Sequence, residues 1–287
     1  MTLSEHPNPT PTGGSPKAKP KEKKIFFGIV AAVAGLLVLG QVNMSVRSAQ
    51  SVEVLHAIAD STRNFSDPAP APGQYLKLRT HEKVTSKRDV KRYGMEEQVI
   101  DVYAPGSANS DWVMDLDGDE NGNKREVIHA PDAKFYDGSS WVSGRILDLD
   151  VMPHDGAGLY KLIDDTYREE FAQTENIYSL IGYLLKNGLM PAESRAVLYE
   201  ALTMVPGITI TENQKTFDGR SGTAIGRTEA LRMSEREEII VDPVSGLVIG
   251  KRDVMTVAAF GFGINDGLGH TVVSYEIVDS APASINK

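Results

Sequence analysis

Cysteine is absent from the chain, which excludes disulfide staples, thiol nucleophiles, thiolate metal sites and a lipid-modified N-terminal cysteine. The Gly-x-Ser-x-Gly elbow of hydrolases and the zinc-protease helix motif are also missing. His81, His129, His154 and His270 stand too far apart in sequence for metal-ligand spacing. Positive charge is scarce, with 30 basic against 39 acidic residues and a formal charge of −9. A surface of that sign repels phosphates, and no basic stripe with interleaved aromatics offsets it, so nucleic acid is excluded as an expected partner. No cofactor motif occurs, and none is expected.

One long hydrophobic run is present. Ile25 to Val42 is apolar or small except for Gln41. As a helix it would extend about 27 Å at about 1.5 Å per residue, close to the hydrocarbon thickness of a bilayer. Lys17, Lys19, Lys21, Lys23 and Lys24 precede it against Glu5 and Glu22, while Arg47 and Arg63 balance Glu53 and Asp60 beyond it. The positive-inside rule then predicts a cytoplasmic tail over 1–24, a transmembrane helix over 25–43, and an exported remainder in a single-pass cell-membrane protein. A cleaved signal peptide is the competing reading. It requires an apolar stretch shorter than this one, and it places Arg47 where a small residue belongs. The tail has almost nothing to bury and is expected to be disordered.

After the run, Val54, Leu55, Ile58 and Ala59 recur near helical spacing, predicting a short juxtamembrane helix. Pro68, Pro70, Pro72 and Gly73 follow as a stiff spacer, so 44–73 is expected to link the span to a domain over 74–287. From Gln74 to about Arg145 the period is two: Leu76 with Leu78, then Trp112 with Met114 and Leu116, separated by Pro-Gly, Asp-Gly and Asn-Gly turns. Three helices are predicted next: Leu159–Phe171, Asn176–Asn187, and one opened by Pro191 with Val197, Leu198, Ala201, Leu202 and Val205 inward. Alternation returns beyond Gly207, with strands expected over 208–211, 223–228, 237–241, 247–249, 254–260 and 271–278. The sum is an α+β domain: a curved antiparallel β-sheet, half-barrel-like, with a three-helix insertion, preceded by one transmembrane helix.

The run Leu189–Thr211 (LMPAESRAVLYEALTMVPGITIT), the segment Phe217–Ala224 and Ile239–Gly250 (IIVDPVSGLVIG) resemble a family of uncharacterised single-span membrane proteins of high-GC Gram-positive bacteria. Gly73-Gln74-Tyr75 and Trp141-Val142-Ser143 extend the resemblance over most of 73–278. Members are often encoded near extracytoplasmic-function sigma factors, so the resemblance implies an envelope-signalling accessory. It implies no catalytic residues. A looser likeness, of fold only, is to the half-barrels of periplasmic lipoprotein carriers and sigma-regulator proteins. It places a ligand (lipid, lipoprotein or peptide) in an apolar concave face beneath the helices.

Three groups of residues could carry chemistry. Asp117, Asp119 and Asn121, with Gly122, match the opening of a calcium loop, but position twelve is Ile128 where a glutamate is required. An acidic hairpin tip is the simpler expectation. Asp164, Asp165, Glu169 and Glu170 form two carboxylate pairs, the raw material of a glycosidase, yet near a helix start they would answer the macrodipole. The glycines of Phe260–Gly269 lack the Lys-Ser/Thr pair of a phosphate loop and read as the last hairpin. The expectation is therefore a non-enzymatic, membrane-anchored extracytoplasmic binding or sensor module whose partner is lipid, peptide or an envelope protein. A lipid or lipoprotein carrier is the first alternative, and an envelope hydrolase the second.

Overall fold

In a computed structural model, the residues described are 49–89, 92–117, 124–135, 151–169, 173–187, 189–232, 234–259 and 261–285. The transmembrane assignment over 25–43 and Trp141 lie outside them. Among the described residues no helix is long and apolar enough to cross a membrane. All of them belong to one unit, Met44–Lys287.

Among the described residues nine antiparallel strands form one sheet: β1 (Tyr75–Asp89), β2 (Arg92–Pro105), β3 (Trp112–Leu116), β4 (Glu126–Ala130), β5 (Thr209–Lys215), β6 (Ser221–Glu229), β7 (Glu235–Val241), β8 (Val248–Met255) and β9 (Gly267–Val278). The spatial order is β4-β3-β2-β1-β9-β8-β7-β6-β5. Two meanders, β1–β4 and β5–β9, are thus joined where the last strand pairs with the first, Tyr75 opposite Val278 through Val84 opposite Gly269. β4 and β5 remain as edges, so the sheet is open. The strands expected separately at 247–249 and 254–260 are instead one strand, β8. Lys251, Arg252 and Asp253 interrupt its apolar pattern without interrupting its pairing to β7.

Four helices cover one face: α1 (49–63), α2 (Gly156–Tyr167), α3 (Gln173–Lys186) and α4 (Ala192–Leu202). The three inserted helices match the expectation within a few residues. In α3, Ile177, Tyr178, Ile181, Leu184 and Leu185 are buried along one stripe, as 3.6 residues per turn requires. Helix α2 begins after Asp155, whose carboxylate accepts from Gly158 N at 2.8 Å. It ends at Tyr167, which moves Asp164 and Asp165 from the expected first turns to the last. There the macrodipole opposes them, and Lys161 and Arg168 compensate by ion-pairing Asp165.

The 49–63 helix is where the structure departs most from expectation. Rather than standing apart before a domain that starts at Gln74, it enters the main core through Leu55, Ile58 and Ala59, at most 2% exposed. Arg63 Nε lies 3.0 Å from Glu193 Oε1, and its Nη2 lies 2.9 Å from Glu200 Oε1, tying the end of α1 to α4. Ser51 Oγ donates to Ile208 O and Ser61 Oγ to Val244 O, so α1 spans the sheet from one end to the other. The proline segment therefore closes a loop within the fold.

The apolar stripes of the helices fill the face they cover. Leu55, Leu159, Tyr178, Ile181, Leu184 and Tyr199 are 0% exposed there, so the expected ligand space beneath the helices is solid core. The opposite face is a lattice of cross-strand ion pairs. Arg79 holds Asp101 through two 2.8 Å hydrogen bonds, Arg125 holds Asp115, and Lys83 reaches Glu97 at 3.1 Å. Glu238, 1% exposed, lies between Arg236 and Arg252.

Candidate functional site

Two features stand out from the packed body. The first is an open cleft of about 460 Å³ at the β5 edge. Val54, Ala57 and Ile58 of α1 form one wall, Ser221 and Thr223 of β6 the floor, and Glu212 and Asn213 the rim. A β-bulge builds that rim: between Thr211 and Gln214 the pairing to β6 shifts, and Asn213 adopts φ 55°. Gly222 completes the floor, where a Cβ would lie 2.4 Å from Val241 O. The volume lies in the range of small-ligand sites, with an apolar wall facing one carboxylate and two hydroxyl side chains. Sequence reading missed this cleft because its parts lie more than 150 positions apart and carry no motif.

The second feature is a charged cluster between the sheet and α3. Lys251 Nζ lies 3.1 Å from Glu237 Oε1 and 3.5 Å from Asp253 Oδ1. That aspartate oxygen is buried without a hydrogen-bond partner among the described residues. Arg232 pairs with Glu175 of α3 and lies 3.7 Å from Glu237. The Tyr178 hydroxyl is 3.0 Å from Ile225 O and 3.1 Å from Glu237 O, fastening α3 over the same spot. Burial pushes the Asp253 carboxyl up to about 6, against the pull of Lys251 and with the push of Glu237 and Glu235. On the other face, burial would raise Glu238, but the hydrogen bonds from Arg252 and Arg236 outweigh it and hold the carboxyl below its ordinary value.

Asp253 has a higher pKa folded than unfolded, so its contribution is fully present below about pH 4 and is lost as pH rises through about 6. An Asp253→Asn variant lacks that loss. Its stability relative to the parent, measured by denaturant unfolding, should rise by about 2–3 kcal/mol between pH 4 and pH 8. A pH-independent difference would place the carboxyl in water.

The residues singled out from sequence do not converge. Asp117 is exposed, its amide donating to Val99 O at 3.1 Å, while Asp119 and Asn121 lie outside the described residues. Among the described residues no group of three or more His, Asp or Glu side chains is placed to hold a metal. Asp164 accepts from Gln173 and Asp165 from Lys161, so that pair is spent on helix ends. His81, His129 and His270 do share the open face, on separate strands and with separate partners: Glu97, Pro282 O and the ring of Phe217. Of the glycine-rich stretch, Gly261 and Gly263 lie in the β8–β9 connection and Gly267 and Gly269 in β9 itself, so it forms the last hairpin as expected.

The residues carrying the family resemblance have structural roles. Pro191 caps α4. Arg195, 1% exposed, donates through Nη1 to Met190 O (2.7 Å) and through Nη2 to Asp67 Oδ1 (2.7 Å) and Ser245 O (3.0 Å). The other Asp67 oxygen accepts from Ala192 N at 2.8 Å, capping the helix from the proline segment. Tyr199 OH donates to Gly246 O at 2.8 Å.

No protein-family model matches the chain. No curated protein matches it in sequence. A solved structure, "The complex structure of Pseudomonas aeruginosa MucA/MucB", is similar at a TM-score of 0.34 and 10% identity, over 82% of this chain and 59% of that one. A likeness of that size carries no argument, and the fold above stands on its own geometry.

Proposed function

We propose that the chain is a non-enzymatic binding module held at the cell membrane by residues 25–42, its folded domain outside the cytoplasm, and that it binds a small ligand in the cleft beside α1. One observation supports this most: α1 is at once a wall of the cleft and the element into which the chain passes seven residues after the apolar run. Occupancy of the cleft therefore bears on the helix nearest the tether. That coupling is what a sensor or signalling accessory needs, the role implied by the sequence resemblance. The ligand has an apolar body for Val54 and Ala57 and a polar, preferably cationic, end for Glu212 and Ser221.

Native mass spectrometry of the full chain, isolated in a membrane mimetic from the cells that make it, tests the reading. The parent should carry an adduct that Ala57→Trp loses, since indole fills the cleft from an exposed position and leaves the core intact. An adduct unchanged by Ala57→Trp would move the ligand elsewhere. Absence of any adduct would remove the small-molecule role.

A further inference from the structure

The β8–β9 connection runs Val257 to Ile264 without a charge (VAAFGFGI), in a chain where 24% of residues are charged. Val257 is 45% and Ile264 62% exposed. Ala259 and Phe262 exchange backbone hydrogen bonds at 3.1 and 2.9 Å around Gly261, whose φ of +89° closes a tight turn. Asn265 N donates to Met255 O, Met255 N to Asp266 O, and the Asp266 carboxylate accepts from Gly263 N at 2.6 Å. Thr256 is pinned to Ser234 O through both its amide and its hydroxyl. A built scaffold thus presents exposed apolar side chains to solvent, an arrangement that marks an interaction surface.

The topology indicates what it meets. Loop 256–266 lies at the end of the sheet where β8 finishes and β9 starts, which is also where β6 finishes and β7 starts. Helix α1 begins at that same end, with Ser51 bonded to Ile208 just before β5. Three strand intervals, about 14 Å, separate β5 from β8. Only six residues lie between Val42, the end of the apolar run, and the first residue of α1, a reach of at most about 25 Å.

We infer that Val257 and Ile264 dip into the interfacial layer of the bilayer that holds residues 25–42, giving the domain a second, reversible lipid contact beside its tether. The inference rests on the anchoring proposed above. Its occupant is lipid, because the short connection limits how far the start of α1 can lie from the proposed span and because Val257–Ile264 carries no charge.

The absence of cysteine makes the test clean. Ile264→Cys, and separately Val244→Cys at the opposite end of the sheet, each give the full chain a single thiol for a nitrobenzoxadiazole label; Val244 is 63% exposed. Both are reconstituted into phosphatidylcholine–phosphatidylglycerol vesicles. The label at 264 should emit further to the blue, and nitroxide-labelled lipid should quench it several-fold more than the label at 244. Adding Val257→Asp should remove the difference. If 264 behaves like 244 while the chain still floats with the vesicles, the loop contact is wrong and the anchoring stands. If the chain fails to float, the anchoring itself is wrong and the inference goes with it. A blue shift that needs added membrane proteins and is insensitive to nitroxide lipid would assign the loop to a protein partner and overturn the lipid contact.

Discussion

Replacing Arg195 with methionine should cost about 3–5 kcal/mol of folding stability, the range for removing one member of a buried ion pair. Methionine keeps most of the stem volume but supplies none of the donors. Met190 O and Ser245 O lose their partner, and Asp67 loses its counter-charge while still capping α4. Three segments come apart together: the proline stretch, the start of α4 and the β7–β8 turn. Arg195→Lys should recover only part of the loss, because one ammonium cannot hold three acceptors with the geometry of a guanidinium fork. Arg63→Ala removes as many hydrogen bonds, yet its guanidinium is a third exposed and solvent screens it; about 1 kcal/mol or less is expected. Denaturant midpoints at constant slope separate the two cases.

Gly246→Ala is the second large effect. The residue sits at φ +64° in the β7–β8 turn, a conformation costing an L-residue about 1–2 kcal/mol. An added Cβ would lie 1.9 Å from Thr62 Oγ1 and 2.8 Å from Thr62 Cβ. Thr62 is 0% exposed on α1, so the helix or the turn must move. The total should exceed about 3 kcal/mol. A second change, Thr62→Ala, removes the two closest contacts, with Oγ1 and Cγ2, and leaves the 2.8 Å approach to Cβ and the left-handed cost. The double-mutant cycle should therefore return a coupling of about 1–3 kcal/mol. Thr62→Ala alone should be mild for a fully buried site, since Thr62 Oγ1 has no hydrogen-bond partner among the described residues. Equal losses in Gly246→Ala with and without Thr62→Ala would contradict the packing described.

Both sites explain what sequence reading could and could not see. Periodicity located α3, where Ile177 to Leu185 bury one stripe, Pro191 and the apolar run after it located α4, which is buried nearly all round from Arg195 to Leu202, and turn dipeptides located most strand ends. Run-length reasoning split β8 in two, since Lys251, Arg252 and Asp253 look like a loop until Glu237 and Glu238 are placed opposite them. The proline segment read as a spacer because its composition is that of one. What binds it to the body, Arg195 Nη2 and Ala192 N to the Asp67 carboxylate, is a pair of contacts more than 120 residues apart with no local signature. The same holds for the cleft, which needs α1, the β5 bulge and β6 to be brought together. The carboxylates at Asp164 and Asp165 were misplaced along their helix because its start, at Gly156, depends on a close approach to Glu200: a Cβ there would lie 2.3 Å from Glu200 Cβ.

Energetically the domain is fastened at two levels. A core filled by four helices supplies burial, and ion-pair networks on the open face and beneath α3 hold the register of strands whose charged stretches would otherwise slip. The cleft lies at the β5 edge and shares Ile58 with the core, while the apolar loop lies at one end of the sheet.

The claim on which the functional account depends is that residues 25–42 cross the membrane once and leave the folded domain outside. A phosphatase that becomes active only outside the cytoplasm, fused after Lys287 in the full chain, tests it directly. The expected result is an active reporter that stays with the membrane fraction through an alkaline carbonate wash. An inactive reporter, or an active one released as a soluble chain that begins beyond Ala49, would contradict it.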